Sequence, residues 1–507
     1  MSMHHSANIG DGPLPACESW DDGAPEPRVV IVGAGPAGIR AAEALVAAGV
    51  RPTVIDENAR WGGQIYRQPP ADAGFTRGKA ALYGFEARKA EAVHACMARL
   101  LPQLDYRPDT LVWSCERGWL DTLRAGREAR LPWTHLIIAS GATDRIVPVP
   151  GWTQPGVYTL GGAQVALKAQ GCAIGRRTVF AGTGPLLYLV AYQYARAGAQ
   201  VAAVLDTSPF GRQAAAVPKL LSQPSTFAKG LYYLGWLRAR GVPLVSGVTL
   251  DAIDGEQAVE RLCWRSADGV ERHTDCDAVG LGFGLRPETQ LADLAGCRFE
   301  FDPLSRGWLP WKDSAGRGSV PGVYLAGDGA GIAGADAAEL AGRRAALALL
   351  EDLGIAAPRG AAGAAGGSSG FGRLGPAAIE RRLARIARFR AGIEAAFAPP
   401  ADAAASWSDA TVVCRCEALT AGLLRECVRG GMAGEVNRLK ALTRVGMGRC
   451  QGRMCGESAM ALLAAETGRP LDQVGRPRGQ APVKPIPISP MLFEYAVRVR
   501  DEEAHDE

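Results

Sequence analysis

Four cysteines in two close pairs carry the most specific chemistry in this chain. They read Cys414-Arg-Cys416, then 33 residues, then Cys450-Gln-Gly-Arg-Met-Cys455. Thiolates paired on two short loops can converge on one metal centre, and sulfur ligands suit zinc or a 2Fe–2S cluster. Zinc ribbons favour knuckles with about two to four residues between the ligands. A C-x-C pair with a long gap is therefore the less usual zinc pattern, and spacing alone leaves both metals open. Cys427 falls in a helical stretch that begins near Thr420 and reads as a core residue. Arg415, Arg444, Arg449 and Arg453 stand near the ligands in sequence and can offset the charge of four thiolates, which would raise a cluster's potential.

The second chemical feature is Gly33-Ala-Gly35-Pro36-Ala37-Gly38, set between the apolar run Val29-Val30-Ile31-Val32 and a helical stretch over 41–48. That strand–turn–helix context is what a dinucleotide fingerprint requires. Gly33 permits the tight turn, Gly35 lets the backbone approach a pyrophosphate, and Gly38 lets helix and strand pack closely. The N-terminus of the helix that follows faces the phosphates with its free N–H groups. Asp56 ends the next strand 23 residues after Gly33, placed to accept from a ribose diol, and Glu57 takes that role if the strand runs one residue further. The unit recurs at 178–206 as Gly182-Thr-Gly184-Pro-Leu-Leu187, with Asp206 at the end of its second strand. There Leu187 replaces the third glycine and pushes helix from strand or tilts it. NAD binding at this second site is an open expectation, and NADP the weaker one because no arginine cluster follows Asp206.

The elements that must hold this chemistry have ample chain to draw on. A length of 507 residues suffices for two to four domains, and 64 glycines with 47% apolar and 21% charged residues fit an α/β protein. A net charge of +4 without a Lys/Arg block gives no reason to expect nucleic acid. Twelve scattered and clustered cysteines are too sparse for a disulfide scaffold and suit a reducing cytoplasm. The first residues lack the basic and apolar regions of a secretion signal, and no run of 18 apolar residues argues for a membrane helix. Six histidines (4, 5, 94, 135, 273 and 505) fall in no motif with a nucleophile or carboxylate, so no catalytic base is assigned.

The expected organisation follows. Residues 1–27 form a flexible start. Residues 28–150 with 275–352 make a discontinuous first nucleotide domain, completed by a strand over 322–328 and a helix from about 337 to 350. Residues 151–274 are an inserted second one. A Gly/Ala linker at 353–376 leads to a basic amphipathic helix and joint at 377–410. The cysteine module spans 411–475, and a Pro-rich extended tail, 476–507, lies on a surface rather than in a core. Trp308, Trp311 and the aromatic stretch 231–237 are dense enough for core or interface.

Several further motifs carry a family resemblance. Gly62-Gly63-Gln64 follows Asp56, Ile137-Ile138-Ala139-Ser140-Gly141 runs from strand into a small-residue turn, and Gly327-Asp328 sits at a strand end before a helix. As a set they resemble the two-dinucleotide-binding flavoproteins of the glutathione reductase and thioredoxin reductase type. The resemblance implies an α/β fold with a small, mostly helical 2Fe–2S domain appended. It implies FAD held by Gly33 to Gly38, Asp56 or Glu57, Gly63, Gln64, Ser140, Gly141, Gly327 and Asp328, with Asp328 on the ribityl chain. The chain departs from the disulfide reductases, because Gln64-Ile65-Tyr66-Arg67 replaces their redox cysteines and no C-x-x-C occurs elsewhere. The cysteine module with its Thr443-Arg-Val-Gly446-Met-Gly448-Arg-Cys450 run resembles the bacterioferritin-associated ferredoxin type, which implies Cys414, Cys416, Cys450 and Cys455 on a 2Fe–2S cluster.

Both halves together resemble the α-type subunit of heteromeric amino-acid dehydrogenases, a group that includes opine oxidases, proline and hydroxyproline dehydrogenases and the flavoprotein subunit of hydrogen cyanide synthase. The resemblance implies an electron-transfer oxidoreductase subunit. Its partner would be an FAD-containing, amino-acid-oxidase-like β-subunit that oxidises a substrate C–N bond. A small ferredoxin-like third subunit, FMN at a subunit interface, and ATP or NAD in place of FAD are variations within that group. Cytoplasmic placement, with membrane association through the electron acceptor, goes with it. Two other readings stand beside it: a self-contained NADH-dependent reductase and a non-catalytic nucleotide-binding scaffold.

Overall fold

The structure is a computed structural model and describes residues 27–70, 73–75, 77–356, 374–400 and 402–487. The expected flexible start through residue 26, most of the Gly/Ala linker and the end of the tail lie outside the described residues.

The first sheet has the order Val323–Leu325, His135–Ile138, Val29–Val32, Thr53–Ile55, Asp105–Arg107, every pair parallel. All four residues of Val29–Val32 are buried. An unbroken apolar run is what a parallel strand covered on both faces needs, and alternation would have left polar side chains inside. The following helix runs Pro36–Ala47, five residues earlier at its start than its apolar pattern alone implied, because proline at the first helical position is pre-set for the turn. It crosses the helix Ala335–Asp352 at backbone contact. A Cβ built on Gly342 would lie 1.9 Å from the Ala37 carbonyl oxygen, so only glycine fits that crossing.

The second sheet has the order Leu244–Ser246, Gln200–Asp206, Arg177–Thr183, Ala278–Phe283, Val157–Thr159, again all parallel. This corrects the expected boundary at 274/275: the fully buried strand Ala278–Phe283 pairs along the whole of Arg177–Thr183 and belongs to the second unit. The chain returns through Leu285–Pro287, paired antiparallel with Ala142–Asp144. Each unit carries a three-stranded antiparallel sheet, over 110–132 in the first and 249–275 in the second.

The basic helix, Pro376–Ala396, lies across Phe210–Leu220 and Ala335–Asp352. Gly392 nests against Leu220, and Arg344 pairs with Glu380 at 2.8 Å. Its Arg381, Arg382, Arg385 and Arg388 stay exposed. The cysteine module has a core of its own, built from Trp407, Val413, Leu424, Leu439, Leu462 and Leu463, with Cys427 buried inside it. Its helices start on side-chain caps. Thr420 accepts from the Leu423 N–H, and Glu435 accepts from those of Asn437 and Arg438. The tail is not wholly a surface strand as expected. Val483 is 1% exposed, packed into the core of the first unit, and its N–H bonds the Trp113 carbonyl.

Among the described residues no helix is long and apolar enough to cross a membrane.

Candidate functional site

The first glycine turn is built by backbone against backbone. Gly33 has φ +107, and a Cβ there would meet the Ala139 carbonyl at 2.3 Å. Gly62 donates to the Ala34 carbonyl, which lays Gly63 over the turn; a Cβ on Gly63 would sit 3.0 Å from the Gly35 Cα. The helix that begins at Pro36 has no side-chain cap and no acidic residue in its first turn. Its orphan N–H groups and positive dipole end are therefore left for an anion.

Asp56 follows the strand Thr53–Ile55. Its carboxylate accepts from the Ala34 N–H at 2.6 Å and from both nitrogens of Asn58 at 2.8 Å. Burial raises its pKa, against the lowering effect of those bonds. Glu57 pairs with Lys484 of the tail. Asp328 sits in a short turn over Gly327–Ala330 and holds the next loop by accepting from Ala333 and Gly334 at 2.8 and 2.9 Å, both through Oδ1. Ser140 donates to the Glu288 carbonyl at 2.6 Å, so its hydroxyl serves the scaffold. Gln64 is exposed and accepts from Arg67 at 2.7 Å.

Gly33, Gly35, Gly63, Asp56, Glu57, Ser140, Gly141, Gly327 and Asp328 all line one cavity of about 1450 Å³. Single-ligand pockets run to roughly 300–1,000 Å³, so a dinucleotide cofactor fits with room left. The remainder is walled by apolar and aromatic side chains of the second unit and by the basic helix, including Leu189, Phe227, Leu234 and Phe389.

The second glycine turn is differently placed. Gly182 and Gly184 keep left-handed φ, and a Cβ on Gly182 would lie 1.8 Å from the Gly282 carbonyl, so Gly182 serves the fold, while Gly184 faces open space. Neither they nor Asp206 line the cavity. Asp206 is fully buried and already satisfied by Tyr188 Oη at 2.7 Å, the Ser208 N–H at 2.8 Å and Gln213 at 3.2 Å. Asp206, expected at a ribose, has its carboxylate taken up by Tyr188, one turn into the helix. Leu187 is fully buried in the helix–sheet core, which explains the missing third glycine.

The four cysteines are brought together. Cys414 ends the strand Val412–Cys414, Cys455 precedes the helix Gly456–Thr467, and Cys416 and Cys450 lie on the two intervening loops. Their sulfurs make a chain of contacts, Cys414 to Cys455 to Cys450 to Cys416. Hydrogen bonding to the Cys455 thiol lowers Cys414 to about 6 and Cys450 to about 5, and that shared proton raises Cys455. Backbone N–H groups also point at sulfur: Gly446 and Glu417 at Cys414, Met454 and Gly452 at Cys450. Such donors favour thiolate and tune a cluster. Gly448 leaves space for Cys416, whose Cβ would lie 2.4 Å from a Cβ there. Among the described residues no group of three or more His, Cys, Asp or Glu side chains is drawn close enough to hold a single ion. Of the arginines expected to balance the thiolates, two are already paired, Arg444 with Glu417 and Arg453 with Glu288. Arg449 is exposed, and Arg415 lines the cavity.

Cys450, Arg453 and Met454 line the same cavity as the first glycine turn. The module is bolted there. Arg453 makes a two-pronged pair with Glu288 at 2.6 and 3.1 Å, and Glu288 in turn bonds Gly141 through its N–H. Arg286 donates to the Arg453 carbonyl, Gln290 to that of Gln451, Trp152 to that of Val412, and Arg145 to Glu457. None of these partners stood out in the sequence, since most come from the hairpin return at 285–290 and none carries a motif. Of the central histidines, His94 is buried and bonds the Tyr66 carbonyl at 2.8 Å, and His273 is exposed.

The fold and the two centres define a class: the chain belongs to the pyridine nucleotide-disulphide oxidoreductase family, matched over residues 27–346, and carries a BFD-like [2Fe-2S] binding domain over 412–465. Within that class it is 38% identical to an opine oxidase subunit of Agrobacterium tumefaciens, across 91% of this chain and 90% of that one. It is 36% identical to the HcnB subunit of hydrogen cyanide synthase from Pseudomonas aeruginosa, across 91% and 97%. It is thus an oxidoreductase of the group formed by these subunits. The fold is also that of L-proline dehydrogenase from P. horikoshii, with a TM-score of 0.65, 20% identity, and 91% and 78% of the two chains covered. The family implies a flavin and a 2Fe–2S cluster, and the glycine cradle and the four-cysteine cluster fit them.

Proposed function

We propose that this chain is the electron-accepting subunit of a heteromeric amino-acid or opine dehydrogenase. A partner resembling amino-acid oxidases, with its own FAD, oxidises a substrate C–N bond, and this chain passes the electrons to a downstream acceptor. FAD exchanges electron pairs and a 2Fe–2S cluster single electrons, so together they join two-electron chemistry to one-electron transfer.

The observation that carries the reading is the single cavity lined at one place by the Gly33–Gly35 turn and Asp328 and at another by Cys450. Both centres would face one shared cavity without a mobile carrier. Supporting it, the relatives are themselves subunits. The proposed cofactor contacts are the cavity-lining glycines with Asp56 and Asp328; the proposed cluster ligands are Cys414, Cys416, Cys450 and Cys455. FMN at a subunit contact, a third ferredoxin-like subunit, and ATP in the first site are variations of this proposal. The NADH-dependent reading is weakened by Asp206, whose carboxylate is consumed by Tyr188 and Ser208. The test is affinity purification of the tagged chain from its own cells. Recovery of a flavin amine-oxidase-like partner, in a complex that bleaches its visible absorbance with an opine or amino acid, is expected. A chain recovered alone, with no such response after the candidate partner is added, would overturn the proposal.

A further inference from the structure

Lys168 sits in the last turn of the helix Leu160–Ala169, in the second unit, and is 2% exposed. Its ammonium donates to one acceptor, the Ile65 carbonyl at 3.1 Å, two residues beyond Gly63. Among the described residues no carboxylate lies within salt-bridge distance of it, and the charge acting on it is the like-signed Arg67. It lines the cavity. A buried ammonium with one neutral acceptor is costly unless something anionic meets it. Burial, with Arg67 adding to it, brings its pKa down to about 8, so it still carries its proton at neutral pH.

The anion belongs to a bound ligand, and the cradle says which part. The pyrophosphate seat is the Gly33–Gly38 turn with the helix N-terminus behind it, all in the first unit. Asp56 marks the ribose end. Lys168 reaches in from the opposite unit, where the loop after Gly63 faces the cleft between the two sheets. The end of a dinucleotide that extends into that cleft is its redox-active ring, since the other end is tied to the sheet edge.

The geometry points to Lys168 as the counter-cation of the flavin ring, holding the negative charge the ring gains when it takes up two electrons and one proton. It is a positioning and tuning residue that makes the bound flavin a better electron acceptor. This inference deepens the proposed function and rests on its flavin assignment. Arg67, on the same loop and partly buried, supports the sign of the local field without replacing the contact.

The experiment uses the full chain as purified, with Lys168→Met and Lys168→Arg variants. FAD content is measured first, by extraction and absorbance; absence of flavin from the wild type would sink the flavin assignment rather than this inference. Sulfite affinity of the flavin, which rises with positive charge beside the ring, and the flavin midpoint potential are then measured. Lys168→Met is expected to bind FAD as the wild type does, lose about tenfold or more in sulfite affinity, and show a more negative potential. Lys168→Arg restores both, and serves as the folded control if the methionine variant is unstable. Sulfite affinity and potential unchanged in Lys168→Met would overturn the inference. So would a loss of FAD affinity alone, which would place Lys168 on a phosphate.

Discussion

The contact between Arg453 and Glu288 makes a quantitative test of how the cysteine module is held to the nucleotide cradle. Both side chains are nearly buried, 13% and 12% exposed, and the pair is bidentate. Glu288→Gln keeps the shape and removes the charge, leaving Arg453 with the carbonyls of Val483 at 2.5 Å and Cys450 at 3.4 Å. Removing one member of a fully buried pair costs about 3–5 kcal/mol. With partial exposure and two remaining acceptors, about 2 kcal/mol is reasonable, roughly a thirtyfold rise in local opening. Hydrogen exchange of the 446–456 segment reads this directly, because the other bolts, Arg145 to Glu457 and Trp152 to Val412, keep the rest docked. The effect also carries a pH signature. Burial pushes the Glu288 carboxyl up, but the charge and hydrogen bonds of Arg453 outweigh it and hold the group below its ordinary range. A depressed carboxylate contributes stability above its unfolded pKa, about 4.3, and loses it as pH falls through the lower folded value. Wild-type protection of this segment should therefore fall in acid and the variant's should not. Unchanged exchange in Glu288→Gln at neutral pH would refute the reasoning.

Three further outcomes follow from the geometry. Cys414→Ser or Cys450→Ser should abolish the cluster's visible absorbance while FAD stays bound; a cluster retained in both would sink the ligand assignment. Gly342→Ala drives a methyl into the Ala37 carbonyl and should cost about 1–3 kcal/mol in denaturant melts and lower FAD content, since that crossing supports the glycine turn. Asp206→Ala strips a fully buried acceptor from Tyr188 and Ser208 and should destabilise by about 1–3 kcal/mol with FAD content unaltered; an intact melt coupled to altered NADH binding would return Asp206 to the ribose role.

How much was legible in the sequence depends on whether the signal was local. Val29–Val32 with Gly33, Gly35 and Gly38 specified a buried strand, a tight turn and a close helix within ten residues; strand and turn are where the pattern put them, and the helix starts five residues sooner because Pro36 opens it. The cysteine loops were equally plain. The bond that Tyr188 makes to the Asp206 carboxylate was not legible, because Tyr188 is one helix turn past the glycines and belongs to no motif. The second sheet's strand Ala278–Phe283 was assigned to the wrong unit because an apolar run does not say which sheet it enters. Glu288, Lys168 and Val483 were invisible for the same reason: each matters through a partner more than a hundred residues away.

Electron entry from a partner subunit, rather than from a nicotinamide, is the point on which the proposed function stands or falls. An anaerobic absorbance titration of the purified chain decides it, with FAD and iron quantified beforehand. NADH is added first, then the partner subunit together with its amino-acid or opine substrate. No bleaching is predicted with NADH, and full bleaching of flavin and cluster once partner and substrate are both present. Rapid stoichiometric bleaching by NADH alone would contradict the proposal and make the chain a reductase in its own right.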